Sequence, residues 1–294
     1  MALFGPKRIG LALGSGSARG IAHVGVLKVL EAEGLAPDAV AGTSMGALVG
    51  AFYAAGIPLA EIEQIALEFE LKTIAGVGDV SLGKGGVFSG EKVLEFLRAH
   101  LPADFADLRV PFGCVATDIT RNLPVRFTSG DLVSAVRASV SVPLAFLPVR
   151  MDDALLVDGY VSEPIPVGLA RHLGGQTIVA VDVSGDGTVS LPDEPAEHGS
   201  LGVRELRATV RHAADYERGS TGIDIVGAVS EALEGRVAAA ALRDADVVIS
   251  PNVHHLTGFS YSRGAEAIAA GEAAASAAVP VIRRKARRPA PREG

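Results

Sequence analysis

The longest stretch without a charged side chain most limits what this chain can fold into. Between Asp38 and Glu61, 22 residues (AVAGTSMGALVGAFYAAGIPLA) contain no Lys, Arg, Asp or Glu, and that length is sufficient for a helix that spans a bilayer. A membrane span should be one uninterrupted apolar helix, whereas Thr43 and Ser44 lie inside this stretch and glycines and Pro58 punctuate it. A buried strand, a tight turn and a buried helix explain the stretch better than a membrane span does.

The composition indicates a folded, acidic protein with a short basic end. Of 294 residues, 48% are apolar and 21% are charged, which excludes disorder for most of the chain. The single cysteine, Cys114, excludes an internal disulfide framework and a cysteine-built zinc site. The net charge of −7 argues against a nucleic-acid partner. Because residues 283–294 hold six Lys or Arg and one Glu, the rest of the chain carries −12.

We expect one domain over residues 1–282, followed by a disordered basic tail over 283–294. The N-terminus lacks the apolar core of a secretory signal, so we expect a cytoplasmic protein. Residues 283–292 either contact an anionic membrane peripherally or form a solvated end, and the sequence leaves both readings open. The least regular part, residues 185–221, is either a lid or insertion near the site or an ordinary surface segment.

The pattern of apolar residues predicts an α/β domain with a mainly parallel sheet. The first sixty residues read as strand, helix, strand and helix, and two strands joined by a helix should be parallel neighbours. The first strand is expected at 8–14 and the second within DAVAGTS. Further strands are expected at 110–119, 124–129, 154–159, 176–184 and 245–250, and helices at 59–70, 90–100, 131–139, 164–173, 222–243 and 263–285.

The turn after the second strand carries the pattern G-x-S-x-G, from Gly42 through Ser44 to Gly46. In a nucleophile elbow the serine occupies a strained turn between strand and helix, and larger residues at the glycine positions would clash. Such a turn projects the hydroxyl above the sheet edge, at a helix N-terminus whose partial positive charge favours a developing anion. The pattern alone is weak, and the strand and helix on either side strengthen it.

A Gly/Ser loop over residues 14–20 follows the first strand. Since adjacent strands lie about 4.8 Å apart, the backbone N–H groups of this loop should lie beside the Ser44 hydroxyl, as an oxyanion hole requires. The alternative is a loop that binds a nucleotide phosphate. That alternative fits poorly, because Arg19 stands where the dinucleotide motif has glycine and no Gly-Lys-Ser/Thr follows.

Either a histidine or Asp158 could serve Ser44 as a base. The order Ser44, Asp158 and a later histidine matches an α/β-hydrolase, but only one strand–helix unit precedes Ser44 here, too few for that fold. Asp158 follows an apolar strand in LLVDGYVSEPIP, and a carboxylate with a pKa near about 3.9 needs close geometry or a raised pKa to act as a base. Taken alone, this aspartate fits a turn residue better than it fits a base. The histidines are His23, His100, His172, His198, His212, His254 and His255.

Together these residues resemble the patatin-like phospholipase family. The segments that carry the resemblance are GLALGSGSARGIAHVGVLKVLEAEG, GTSMG, VATDITRNLPVRFTSG with AVRASVSVPLAFLPV, and VDGYVSEPIP, in family order from residue 9 to about 167. The later VAVDVS and SYSRGAEAIAAGEAAASAA look like the C-terminal part of bacterial cytosolic-type members, which are related to the patatin domain of neuropathy target esterase.

The resemblance implies a three-layer α/β/α fold and a serine lipid acyl hydrolase with a Ser–Asp dyad. Ser44 would attack an acyl ester of a phospholipid, lysophospholipid or related lipid and form an acyl-enzyme, and Asp158 would take the proton. No metal and no cofactor are expected. The oxyanion hole would use the backbone of Gly14, Ser15, Gly16 and Ser17, and the motifs would be supported by Arg19, Gly20, Gly42, Gly46 and Gly159.

Two departures from the family pattern motivate an alternative. Ser15 and Ser17 stand where the family loop usually has glycine, and serine is less favourable than glycine at positive φ. Tyr160 stands where glycine or alanine is usual, two residues after Asp158. The alternative is a lipid-binding or regulatory patatin-like protein with weak or no turnover.

Several other polar residues are expected to be structural. We expect His23 to pack or form a hydrogen bond and Asp118 to orient a turn. Ser139 and Ser141 lack the glycines of an elbow, and Cys114 should be buried in a strand.

Overall fold

The computed structural model describes most of the chain. The described residues are 5–68, 86–184, 189–190, 234–258 and 260–287. The predictions for residues 185–188 and 191–221, for the first part of the helix expected at 222–243, and for the tail beyond Arg287 fall outside them.

Among the described residues, seven of the eleven strands occur close to where the apolar pattern predicts them, whereas the short strands Gly86–Phe88, Leu144–Phe146, Val149–Met151 and Val189–Ser190 were not expected. In chain order the eleven strands are β1 (Ile9–Leu13), β2 (Ala39–Thr43), β3 (Gly86–Phe88), β4 (Phe112–Asp118), β5 (Leu123–Phe127), β6 (Leu144–Phe146), β7 (Val149–Met151), β8 (Ala154–Asp158), β9 (Thr177–Val181), β10 (Val189–Ser190) and β11 (Val247–Ile249).

Helices separate most of these strands. They are α1 (Ala22–Ala32), α2 (Met45–Ala55), α3 (Leu59–Glu68), α4 (Glu91–His100), α5 (Leu132–Ser139), α6 (Val167–His172), α7 (described over 234–242) and α8 (Gly264–Ala286).

The central sheet has a parallel middle and antiparallel edges. Strands β11, β9, β1, β2 and β4 lie side by side in this order, each parallel to the next. Antiparallel pairs add β10 at one edge and β5, β8 and β7 at the other. The predicted parallel pairing of the first two strands is confirmed, since Gly10 pairs with Ala39 and Leu13 with Gly42.

Buried side chains on both faces make the sheet the middle of three layers. Leu11 and Leu13 of β1 belong to an apolar cluster with α1, α2 and α8. Ala12, between them, belongs to a second cluster with α6 and α7. Because successive strand residues point to opposite faces, helices cover both sides, and the expected three-layer α/β/α fold is confirmed.

The charge-free stretch folds into β2 and α2, as the sequence predicts. All five residues of β2 are buried, and so are all residues of α2 except Ala55. The helix ends at Gly56, which adopts the left-handed conformation with φ 80°. The absence of charge therefore reflects burial within the fold.

Helix α8 extends beyond residue 282, where we expected the domain to end. It continues to Ala286, which is buried. The Arg283 guanidinium donates to the carboxylate and to the backbone carbonyl of Glu33, both at 2.6 Å. The first basic residues of the expected tail therefore belong to the folded helix.

The same helix could cross a membrane by length and composition alone. The segment Tyr261–Ala286 meets that criterion, and 39% of its most apolar window is buried inside the protein. Here the helix packs against α1. Core helices of globular proteins meet the same criterion, so it is weak evidence for a membrane span.

Two glycines let the backbones of α1 and α8 touch, which yields a prediction about stability. A Cβ atom at Gly271 would lie 2.0 Å from the Ala22 carbonyl oxygen, and one at Gly25 would lie 2.0 Å from the Ile268 oxygen. Gly271→Ala should lower the free energy of unfolding by about 1–3 kcal/mol because the helices must separate. Denaturant titration measures this change.

Gly168→Ala is the matched control for that substitution. Gly168 also lies in a helix, α6, but a Cβ there meets no atom within 4 Å. Alanine is favoured over glycine in helices by about 1 kcal/mol, so this variant should be as stable as the wild type or more stable. Equal stability of the two variants would contradict the close helix contact.

Candidate active site

Ser44 occupies a strained turn between β2 and α2. Its backbone has φ 55° and ψ −120°, and it is the N-cap of α2. A Cβ atom at Gly42 would lie 2.3 Å from the Gly46 carbonyl oxygen, and one at Gly46 would lie 2.3 Å from the Leu13 oxygen. Both glycines are therefore sterically required. Strain of this kind costs about 1–3 kcal/mol and concentrates at functional sites, so the geometry is that of a nucleophile elbow.

The Ser44 hydroxyl is hydrogen-bonded to a buried carboxyl group. Ser44 Oγ donates to Asp158 Oδ2 at 2.6 Å, and Asp158 Oδ1 accepts from the Tyr160 N–H at 2.9 Å. Asp158 is fully buried, and Ser44 is 5% exposed. The structure thus brings together the two residues that the sequence singled out, although they lie 114 positions apart.

Burial changes the acidity of Asp158. Desolvation raises its pKa to about 7, and the negative charge of Glu234 acts in the same direction. Hydrogen bonds from Ser44 and from the Tyr160 N–H favour the ionised form and oppose the rise. The carboxyl group therefore titrates near neutral pH, well above the usual range of an aspartate.

The sheet holds Asp158 in place. This residue ends β8 and pairs with Ala116 of β4, and the Thr117 hydroxyl donates to its carbonyl oxygen at 2.9 Å. A Cβ atom at Gly159 would lie 2.3 Å from the Val115 carbonyl oxygen. The small residue after Asp158 is thus needed for the chain to turn close to β4.

Ser139 contacts the elbow, which the sequence did not indicate. The Ser44 N–H donates to Ser139 Oγ at 3.1 Å, and Ser139 is fully buried at the end of α5. We expected a structural role because no elbow surrounds this serine. The structure gives it a more specific place, since it fixes the backbone of Ser44.

The loop after β1 offers fewer free N–H groups than expected. The N–H of Gly14 donates to the Val181 carbonyl at 3.1 Å, and that of Ser15 donates to the Pro164 carbonyl at 2.9 Å. The prediction that these two residues supply oxyanion donors is corrected, because neighbouring segments already use their N–H groups. Within the described part of the chain, no backbone hydrogen bond uses the N–H groups of residues 16–17.

The two serines of the loop differ in backbone conformation. Ser17 has φ 48°, in the left-handed region, which costs a residue other than glycine roughly 1–2 kcal/mol. Ser15 is not among the described residues with positive φ. The expected disadvantage of serine over glycine thus applies to Ser17 and not to Ser15.

Arg19 and Gly20 belong to the 3₁₀ turn Ser17–Ile21 that leads into α1. The Arg19 N–H donates to the Gly16 carbonyl at 3.0 Å and closes the turn. A Cβ atom at Gly20 would lie 2.6 Å from Met45 Cγ. Glycine at this position lets the turn pack against the first residue of α2, beside the elbow.

His23 supports the loop and does not contact the Ser–Asp pair. Its Nε2 lies 2.7 Å from the Gly14 carbonyl oxygen, and because that oxygen only accepts, Nε2 carries the proton. Burial lowers the pKa of His23 to about 4, so the ring is neutral. The expected hydrogen-bonding role is confirmed. None of the described histidines is hydrogen-bonded to Ser44 or Asp158, and His198 and His212 lie outside the described residues.

Asp118 and Cys114 have the structural roles that we expected. Asp118 accepts from the Thr120 N–H at 2.9 Å and from the Arg121 guanidinium at 2.6 Å. The Thr120 hydroxyl also donates to Asp118, at 2.7 Å. This hydroxyl contributes most, and together the three contacts hold the pKa of the Asp118 carboxyl well below its usual range. It therefore orients the turn after β4, while Cys114 is fully buried within that strand. No group of three or more His, Cys, Asp or Glu side chains among the described residues is arranged to hold a metal ion.

An apolar crevice lies beside the elbow. Its lining comes from α2, from α3 and from the end of the 3₁₀ turn before α1, and it includes the residue that follows Ser44. All lining residues are apolar, and the free volume between them is about 20 Å³. They are Ile21, Met45, Leu48, Val49, Phe52, Ile62, Ile65 and Ala66.

Comparison with known proteins identifies the family. A model of the patatin-like phospholipase family matches residues 11–171, which is more than half of the chain and includes both Ser44 and Asp158. The chain belongs to the patatin-like phospholipase family.

Relatives within this family occur in bacteria, fungi and animals. An uncharacterized NTE family protein of Mycobacterium tuberculosis is 37% identical over 179 residues, which cover 60% of this chain and 49% of that protein. Human patatin-like phospholipase domain-containing protein 6 is 34% identical over 190 residues, covering 62% and 14%. Lysophospholipase nte1 of Aspergillus fumigatus is 31% identical over 191 residues, covering 60% and 12%. The chain thus matches about half of the mycobacterial relative and a small part of the others.

Among solved structures, VipD from Legionella pneumophila is similar to 94% of this chain. The match covers 67% of that protein, with a TM-score of 0.49 and 14% sequence identity. A similarity of this size supports no conclusion about the site.

The raised pKa of Asp158 predicts a pH-dependent loss of stability. Between about pH 4, where an unfolded aspartate ionises, and about pH 7, the folded state holds a proton that the unfolded state has lost. Stability therefore falls across this window as the pH rises. Because asparagine stays neutral, Asp158→Asn should raise the melting temperature by a few degrees at pH 8 and change it little at pH 4.

Calorimetry at the two pH values measures this effect. Asp107→Asn is the control, because that carboxyl group is exposed and its neutralisation should alter stability little at either pH. The melting temperature of Asp158→Asn should exceed that of the wild type by more at pH 8 than at pH 4. The opposite order would contradict a buried carboxyl group whose pKa is raised.

Proposed function

We propose that this chain is a serine lipid acyl hydrolase that cleaves carboxylic esters of phospholipids, lysophospholipids or related acyl lipids. The observation that carries the proposal is the 2.6 Å hydrogen bond from Ser44 Oγ, at a nucleophile elbow, to the buried carboxyl of Asp158. Membership of the patatin-like phospholipase family supports a lipid substrate. The name of the fungal relative, a lysophospholipase, points to the same substrate class.

In the first half of the reaction, ionised Asp158 accepts the hydroxyl proton as Ser44 Oγ attacks the ester carbonyl carbon. The carbonyl oxygen becomes an oxyanion, and the N–H groups of residues 16–17 donate to it. Collapse of this intermediate breaks the bond to the alcohol part of the lipid. The alcohol leaves with the proton from Asp158, and the acyl group stays on Ser44 as an ester.

In the second half, water replaces the lipid alcohol. Asp158 takes a proton from the water as the water oxygen attacks the acyl carbonyl carbon. The second tetrahedral intermediate releases the fatty acid, and Ser44 regains its proton from Asp158. The same carboxyl therefore acts twice as a base and twice as an acid, which requires a pKa near the working pH.

We place the acyl chain against the apolar side chains around Met45, because Met45 follows Ser44 directly. The space between α2 and α3 must widen to admit the chain, since the crevice there has a free volume of only about 20 Å³. We also propose a cytoplasmic enzyme that meets lipid at a membrane surface. Basic residues within 283–292 would favour anionic lipid there.

Loss of the nucleophile tests the proposal directly. Ser44→Ala should abolish labelling by a fluorophosphonate probe and lower hydrolysis of a short-chain ester at least a thousand-fold, because no other described serine is hydrogen-bonded to Asp158. Ser276→Ala, an exposed serine on α8, is the control and should keep both activities. Unchanged hydrolysis in Ser44→Ala would overturn the proposal. Lipid retention without turnover or labelling in the wild type would favour the alternative of a binding protein, which Ser17 in its strained conformation motivates.

The pH profile tests the role of Asp158. Since the carboxyl must be ionised to accept a proton, and burial raises its pKa to about 7, kcat/KM should rise with pH and level off above an apparent pKa near 7. Initial rates with a short-chain ester between pH 5 and 9 give this profile. A rate that is flat down to pH 5 would speak against Asp158 as the base with the acidity inferred here.

A further inference from the structure

The two serines that depart from the family's glycine loop each have a specific side-chain partner. Ser15 Oγ donates a hydrogen bond to Glu234 Oε1, and the Tyr261 phenol lies near enough to the Ser17 hydroxyl for that hydroxyl to lower its pKa. Both partners lie beyond residue 171, where the match to the family model ends. The substitutions in the loop are thus paired with residues of the C-terminal part of the chain.

A backbone contact joins the same two parts of the chain. The Ala18 N–H donates to the Gly258 carbonyl at 3.2 Å, and a Cβ atom at Gly258 would lie 3.5 Å from Ser17 Cβ. Tyr261 follows three residues later, in the 3₁₀ turn that leads into α8. Side-chain and backbone contacts over residues 15–18 therefore attach the loop to the C-terminal part.

The two partner residues also lie within electrostatic reach of Asp158. The charge of Glu234 acts on Asp158, and the charge of Asp158 acts on the phenol of Tyr261. Tyr261 is protonated at neutral pH, since burial in the first place raises its pKa to about 12. Its hydroxyl can therefore donate a hydrogen bond as well as accept one.

We propose that Glu234 and Tyr261 are positioning residues of the oxyanion loop, acting through Ser15 and Ser17. An oxyanion hole needs N–H groups that are fixed before the charge develops, and an all-glycine loop loses more conformational freedom on being fixed than one with side chains. In this chain the serine hydroxyls give the loop two anchors, so that the N–H groups of residues 16–17 stay in place. The role in catalysis rests on the proposed function, whereas the attachment of the loop does not.

A double-mutant cycle between Ser17 and Tyr261 tests this proposal. Tyr261→Phe removes one hydroxyl and should lower kcat about tenfold while KM changes less than twofold. Ser17→Gly relieves the left-handed backbone but removes the other hydroxyl. If Tyr261 acts through Ser17, Tyr261→Phe should have little further effect in the Ser17→Gly background. Independent, multiplicative losses would overturn the proposal.

Ser15 and Glu234 form the second cycle, which has an additional readout in pH. Glu234→Ala should lower kcat in the wild type and have little effect after Ser15→Gly. Glu234→Gln removes the negative charge and should move the acid limb of the kcat/KM profile to lower pH, because Asp158 then ionises more readily. That shift follows from the charge of Glu234 alone, so the coupling to Ser15 decides the proposal: equal losses of kcat from Glu234→Ala in the wild type and in the Ser15→Gly background would overturn it.

The control for the tyrosine is Tyr53→Phe. Tyr53 is a buried tyrosine near the far end of α2. It belongs neither to the loop nor to the Ser–Asp pair, so kcat should stay at the wild-type value.

Hydrogen exchange separates failure of this proposal from failure of the proposed function. In mass-spectrometric exchange, Tyr261→Phe and Ser17→Gly should both speed exchange of the peptide that covers residues 9–24, and Tyr53→Phe should not. If the wild type showed no Ser44-dependent hydrolysis, the proposed function would fail, and exchange would still decide whether the loop is attached. Unchanged exchange in both variants would overturn the attachment even in an active enzyme.

Discussion

A carboxyl group can serve a serine as a base near neutral pH only when its surroundings raise its pKa, and the burial of Asp158 meets this condition. Burial alone would favour a permanently protonated acid. The hydrogen bonds from Ser44 and from the Tyr160 N–H stabilise the ionised form and bring the pKa back to about 7. The site thus needs both an apolar sheet edge and two donors aimed at one carboxylate.

The rest of the fold serves this geometry. Ser44 follows β2 at the carboxyl end of the parallel sheet. Asp158 lies beside it because β8, which ends at Asp158, pairs antiparallel with β4. Gly42 and Gly46 allow the turn to pass within contact distance of its own helix and of the loop after β1. The apolar, charge-free stretch therefore has two roles: it contributes to the core, and it helps to exclude water from the Asp158 carboxyl.

Short sequence patterns were enough to predict the first two strands and the turn that carries Ser44. Apolar runs placed β1 and β2, and the glycine spacing placed the elbow at Ser44. The boundary at residue 282 could not be placed from composition, because Arg283 is basic yet bonded to Glu33, 250 positions away. Ser139 and Glu234 carried no signal of their own, since each contacts the elbow or the loop after β1 through a hydrogen bond between residues far apart in sequence. The Gly14 N–H donates to the Val181 carbonyl because β9 lies next to β1. Local sequence patterns do not specify this strand order.

The ionisation of Asp158 is the most direct test of the account. Difference infrared spectra of wild type against Asp158→Asn, recorded from pH 4 to pH 9, isolate the carboxyl bands of this one residue. With its pKa raised to about 7, Asp158 should show the protonated carboxyl band replaced by the carboxylate band with a midpoint near pH 7. A carboxylate already fully formed at pH 5 would contradict this expectation, since Asp158 would then be an ordinary, weak base and the hydrogen bond to Ser44 would need another explanation.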